Sequence, residues 1–329
     1  MDGALQLLRT LSLAAAVALL ACGTVTAAPQ DAGGDTSASA VEVSPGVYVV
    51  QGASGEVDTG NLGRIGNAGF IVGDSGVVAI DTGTSYRHGL ILLKLIRQVT
   101  AKPVRLALIT HTRQEFLFGA AAYREQGIAI HMHSRAAGLM RSRCERCLKT
   151  LQKVLGTDAM QGTTMFNPDH EFDHSYSIDS IGRTLQVLYY GHSSGPGDVA
   201  VLDVQTGALF AGGLLDHLRI PDVQDSDLDG WTRALRSLGE LPVKVIVPGH
   251  GPVGSAGVID SVGRYLTQLQ TRLLALLQSG ASLLDVPDAA ELPEFAHWDQ
   301  YEIIHRRNAS NLFVRLEREQ LLRHAGTQN

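Results

Sequence analysis

Three stretches of this chain repeat one arrangement: an apolar run as long as a buried strand, a turn, and a histidine. Leu106-Ala-Leu-Ile-Thr110 leads to His111, Val187-Leu-Tyr-Tyr-Gly191 to His192, and Val245-Ile-Val-Pro-Gly249 to His250. Runs of this kind read as strands covered on both faces. Covered strands alternating with helical segments restrict the chain to a layered α/β protein with helices outside packed sheets. In such folds the loops at strand ends converge on one rim, and sites collect there. Neutral imidazole is the commonest metal-ligating side chain, and a stiff strand end fixes its direction. His111, His192 and His250 are therefore candidate ligands.

The remaining pattern agrees with this class. Val41–Val43 and Val47–Val50 alternate around a Pro45-Gly46 turn, and Ala68–Val72 pairs with Val77–Asp81 across Gly73-Asp-Ser-Gly76. Helical spacing predicts helices over 116–126, 136–155, 231–241 and 258–277. In the last of these Val258, Val262, Leu266, Leu269, Leu273 and Leu276 form one stripe. No break in composition and no internal repeat divides the chain, so the expectation is one domain over 41–329 with C-terminal helices from 258 onward.

The net charge of −6 excludes a general nucleic-acid binder, which needs a basic face. Leu11 to Ala21 is apolar apart from Ser12, follows Arg9 and precedes small residues, which is the layout of a secretory signal over 1–27. Two cleavage routes compete: Val25-Thr26-Ala27 fits one, and Leu19-Leu20-Ala21-Cys22 fits a lipobox that would acylate Cys22. Residues 28–40 read as a flexible tether. No later apolar run could span a bilayer, so membrane contact is expected only through a lipid on Cys22. Export would leave Cys144 and Cys147 as an even pair in an oxidising compartment, open to a structural or a redox reading. The C-x-x-C has no second half to make a zinc ribbon and no following His for haem.

Five segments in order carry a family resemblance: Gly-Val-Val-Ala-Ile-Asp81-Thr-Gly, Leu-Ile-Thr-His111, Gly-His192-Ser-Ser-Gly-Pro-Gly-Asp198, Leu209-Phe-Ala-Gly-Gly213 and Val-Pro-Gly-His250-Gly-Pro. Over roughly residues 41–260 the chain resembles the metallo-β-lactamase superfamily. That implies an αββα four-layer sandwich and, ordinarily, two zinc ions that activate a bridging hydroxide. The family's H-x-H-x-D-H motif reads here His111-Thr-Arg113-Gln-Glu115-Phe116, and Gly213 stands where the bridging Asp is expected. The resemblance therefore implies an altered centre with at most one zinc, and with none as the alternative. Its ligands would come from His111, His192, His250 and Glu115. Glu115, Arg113 and Asp81 are the candidate catalytic residues, Glu115 as ligand or base. Arg113 would either grip an anion or pair with Glu115 or Asp81 in place of the metal. Asp216 and His217, close after the missing Asp, are candidate replacements, and His131 and His133 share one strand face as weaker candidates.

A narrower resemblance lies in Asn67-Ala-Gly-Phe-Ile-Val-Gly, Arg143-Cys-Glu-Arg-Cys-Leu148 and His305-Arg-Arg-Asn308. These segments are similar to the exported quinoprotein relay system zinc metallohydrolases, which implies a periplasmic setting beside redox proteins. Three functions stay open: a hydrolase of a small ester, thioester or amide; a catalytically inactive accessory or binding protein of a periplasmic quinoprotein system; and a thiol-redox protein centred on Cys144 and Cys147. A fold alone does not choose among them.

Overall fold

The computed structural model describes residues 38–326, with side chains to residue 323. The signal segment and Cys22 lie outside them.

Two sheets form the centre. The first runs β1 (Val41–Ser44), β2 (Val47–Val50), β3 (Ala68–Val72), β4 (Val77–Ile80), β5 (Val104–Ile109), β6 (Ala129–His133) and β7 (His170–Phe172), in chain order across the sheet. Its β1–β4 half is antiparallel, and from β4 onward the strands are parallel. The parallel crossovers pass through α1 (Tyr86–Val99), the short α2 (Gln114–Leu117) and α3 (Ala120–Arg124), and α4 (Ser134–Leu155). The second sheet holds β8 (Tyr176–Ile178), β9 (Leu185–Tyr189), β10 (Val199–Asp203), β11 (Ala208–Gly212) and β12 (Val245–Pro248), in the order β12-β11-β10-β9-β8. It is covered by α5 (Leu228–Gly239), α6 (Gly257–Gln278), α7 (Val286–Ala289) and α8 (Arg306–Gly326).

Side-chain alternation builds the layers. Val78, Ile80, Leu106 and Leu108 point from the first sheet into one apolar cluster with Val199, Val201 and Phe210 of the second. Their neighbours Val77, Ala79, Ala107 and Ile109 face the other way, onto the first sheet's helices. Likewise Ala200, Leu202, Leu209 and Ala211 face α5, α6 and α8. Period-2 strands with both faces apolar thus give three apolar interlayers, which is what an αββα sandwich requires.

The expected elements stand, with shifted ends. The exception is the helix expected over 116–126, which is two short helices broken at Phe118-Gly119. At Gly119 the backbone passes against the β4–α1 turn: its N–H donates to Gly83 O, and a Cβ there would lie 1.8 Å from Thr82 O. That close approach overrides the helical pattern.

Candidate active-site pocket

The C-terminal ends of β5, β11 and β12 open into one cavity of about 300 Å³. His111, Arg113, Glu115 and His250 line it, with Asp198, Gly213, Asp216, Asp222 and Asp225. Asn67 anchors the β12 end to the first sheet. Its side-chain amide donates to Pro248 O and Gly251 O, and its carbonyl accepts from Gly52 N.

His250 sits between two carboxylates, with Nδ1 2.8 Å from Asp216 Oδ1 and Nε2 3.0 Å from Glu115 Oε1. A carboxylate only accepts, so this geometry wants protons on both nitrogens. Burial opposes the imidazolium, but Asp216 and Glu115 outweigh it and lift the pKa to about 9. Burial likewise opposes ionised Glu115, yet the hydrogen bond and charge of His250 bring its pKa down to about 2.

His111 is fixed from behind. Asp81 is buried at φ 60, in the left-handed region that Asp tolerates. It accepts from Thr110 N at 2.8 Å and from Thr110 Oγ1 at 2.9 Å. The Thr110 hydroxyl, having spent its proton on Asp81, accepts from His111 Nδ1 at 2.8 Å, and this network leaves the lone pair on Nε2. Burial, followed by the charge of Arg113, depresses the His111 pKa to about 3, so the ring is neutral. Burial also raises Asp81 to about 7 and Asp198 to about 6.

Arg113 occupies the acidic middle of the cavity. Its guanidinium pairs with Asp222 at 3.2 Å, not with Glu115 or Asp81 as expected from sequence. Burial works against the cation, but Asp222, Glu115, Asp225 and Asp198 together hold its pKa above the ordinary value. The partner was invisible because Asp222 lies on the β11–α5 loop, more than a hundred residues on, with no periodicity to place it.

The residues present do not fit zinc. Both His250 nitrogens are engaged by carboxylates. His192 donates Nε2–H to Asp225 O at 2.6 Å, and it does not line the cavity. The Phe116 ring stands between the His111 and His250 rings, at centroid distances of 4.2 and 5.3 Å. A Cβ at Gly213 would lie 2.7 Å from Asp198 Oδ2 and 2.8 Å from His111 Cδ2, so a side chain there requires both neighbours to shift. Among the described residues no group of three His, Cys, Asp or Glu is arranged to hold a metal ion. The three histidines thus approach one rim without converging on one point.

The other expectations divide. Asp81 stands behind the cavity wall and reaches it only through Thr110. Asp216 does enter the site, as the partner of His250, while His217 turns its Nδ1 to Pro252 O at 2.8 Å. His131 packs on His170, and His133 caps α4; neither lines the cavity. Cys144 and Cys147 do line it, both as free thiols. The sequence placed them on a helix but gave no sign of which way that helix faces.

Comparison with known proteins agrees with this architecture. The metallo-beta-lactamase superfamily sequence model matches residues 62–250. A metallo-beta-lactamase type 2 of Bacillus sp. (strain 170) is 23% identical over 191 residues, covering 56% of this chain and 66% of the relative's own length. Among solved structures, a metallo-beta-lactamase from Pontibacter korlensis superposes with a TM-score of 0.58 at 23% identity, over 70% of this chain and 99% of that one. TMB-1 superposes at 0.56 and 16% identity, over 70% and 97%. The chain belongs to the metallo-beta-lactamase superfamily, a family of hydrolases built on this fold.

Proposed function

We propose that this chain has kept the fold and pocket of its hydrolase family and uses them, without a zinc centre, to bind a small polar molecule. One observation carries the reading: His250, one of the two retained histidines that line the pocket, is held at both nitrogens by Asp216 and Glu115. Arg113 supports it, since a permanent cation among Asp198, Asp222, Asp225 and Glu115 supplies the positive charge a metal would bring. The cavity then offers a neutral His111 Nε2 acceptor, an Arg113 fork and buried carboxylates. That set suits a small ligand with both donor and acceptor groups. Export, and work beside a redox system outside the cytoplasm, belong to the proposal on the sequence alone. The mass of the native N-terminus tests export, and an intact Met1 would exclude it.

A single-metal hydrolase of an ester, thioester or amide is the second reading, favoured by the free lone pair on His111 Nε2. Zinc content of the purified chain, with hydrolysis of a generic ester and a β-lactam measured before and after zinc addition, separates the two. Substoichiometric zinc and no gain in hydrolysis are expected. One zinc per chain, lost together with hydrolysis in His250→Ala, would overturn the binding-protein reading in favour of the hydrolase.

A further inference from the structure

One wall of the cavity is a face of α4, presenting Leu139, Arg143, Cys144 and Cys147. Cys144 is 2% exposed and packs into the first sheet's helical core, while Cys147, one turn on, is only partly buried. Residues three apart on a helix share a face, so the two sulfurs lie together at the cavity with one inside and one accessible. This is the layout of an attacking and a resolving thiol. It is not that of a core pair, which would bury both.

We propose that Cys144 and Cys147 form a second functional site in this pocket, a dithiol that exchanges with a small-molecule disulfide. The cavity of about 300 Å³ suits a small molecule, not a folded chain. Its lining alternates guanidinium and carboxylate: Arg143 pairs with Asp225, and Arg113 with Asp222. A disulfide bearing both ammonium and carboxylate groups, of which cystine is the simplest, fits that lining. The Cys147 thiolate attacks one substrate sulfur, the substrate S–S bond breaks, and the released half leaves as a thiolate that takes up a proton. Cys144 then gives up its proton and attacks Cys147 Sγ, expelling the second half as a thiol. Two electrons pass from the dithiol to the substrate, leaving a Cys144–Cys147 disulfide and two small thiols. The same path runs in reverse from the oxidised protein.

Two physical features agree. The Cys144 thiol donates to Cys147 Sγ, which brings Cys147 down to about 7 and pushes Cys144 up, with burial adding to the rise. The thiolate thus forms on the accessible member. Helical Cβ atoms three residues apart sit about 5–6 Å from each other, whereas a disulfide wants about 3.5–4.5 Å. Closing the bond must tighten α4, which makes the oxidised form the stronger oxidant, so an excess of the small disulfide drives the forward step and the reverse step is the easier one.

The inference does not depend on whether metal binds. The full chain is incubated with a large excess of cystine at pH 7, quenched in acid, and read by peptide mass spectrometry, beside Cys144→Ala and Cys147→Ala. An internal Cys144–Cys147 disulfide is expected in the unaltered chain, and cysteinylated Cys147 should accumulate in Cys144→Ala. Cys144 is expected to stay unmodified in Cys147→Ala. Iodoacetamide alkylation of the unaltered chain, which needs no variant to fold, should titrate near pH 7 at Cys147. That gives thiolate attack about threefold faster at neutral pH than an ordinary thiol, after allowing for lower nucleophilicity. Adducts on Cys144 or on neither cysteine, or a Cys147 titration at the ordinary thiol pH, would overturn the site. Equal rates with cystine and neutral hydroxyethyl disulfide would overturn the substrate class.

Discussion

The two ends of the sandwich each bury a cation against carboxylate, and they use the same chemistry differently. At the end away from the pocket, Arg183 donates two bonds to Asp203, both 2.6 Å, with side chains 6% and 0% exposed. Arg183 also donates to Val72 O at 3.2 Å, and Thr206 N donates to Asp203 at 2.9 Å, so the pair ties the two sheets together. At the pocket end His250 lies 2.8 Å from Asp216 and 3.0 Å from Glu115, but these groups face a cavity with Arg113 and three further aspartates around it. The closed pair has one arrangement available to it. The open cluster has spare carboxylates at hand, so its loss of a member is shared. Buried charge therefore serves as a fastener at one end and as a prepared surface at the other.

Removing Asp203 tests the fastener most severely. Asp203→Ala leaves Arg183 buried and unpaired and is expected to cost about 3–5 kcal/mol in denaturant unfolding. Zinc content and cystine reactivity should remain as in the unaltered chain; a loss below about 1 kcal/mol would erase the contrast between the two ends. Acid sharpens the same point. Burial opposes the Asp203 charge, but the Arg183 and Thr206 hydrogen bonds outweigh it and hold the carboxyl below its usual range. A depressed carboxylate contributes fully above its unfolded value and loses that contribution as pH falls through the folded one. The unaltered chain should therefore lose stability at acid pH faster than Asp203→Asn, as thermal unfolding across that range would reveal.

At the pocket end, restoring the family's bridging residue is expected to fail. Gly213→Asp must displace the Asp198 carboxylate and the His111 ring, at about 2–3 kcal/mol, and add a negative charge beside Asp198. Calorimetric titration should find no new zinc site, even combined with Arg113→His and Phe116→His. The smallest effects belong to the α4 wall. Cys144→Ser places a hydroxyl in an apolar core for about 1 kcal/mol, the low end of that penalty because an intrahelical carbonyl is within reach. Cys147→Ser should move the unfolding midpoint by less than about 0.5 kcal/mol. Equal costs at the two positions would mean that both thiols serve packing.

Much of the architecture was legible in the chain because strands covered on both faces write themselves as continuous apolar runs, and Leu106–Thr110 or Val245–Gly249 can hardly be anything else. Ligand-position changes at Arg113, Phe116 and Gly213 were legible too, since a motif names the places it leaves empty. What fills those places was not. Asp222 meets Arg113 from a loop without pattern, Phe116 finds its neighbours through the fold, and Glu115 meets His250 across 135 positions of chain. The direction of α4 was equally hidden. Its apolar residues mark the buried face, but a thiol reads as apolar whether it is packed or poised.

The volume beside Gly213 has a consequence for reversibility. A chain of this fold can lose a bridging carboxylate in one substitution, and its neighbours then settle into the space. Once Asp198 and His111 stand 2.7 and 2.8 Å from where a new Cβ would be, the reverse step meets a barrier that the forward step never had. On the reading proposed above, a return to the bridging carboxylate then requires Asp198 and His111 to shift along with it. On that reading the glycine acts as a ratchet: a residue with no side chain keeps the pocket from regaining the group it lacks.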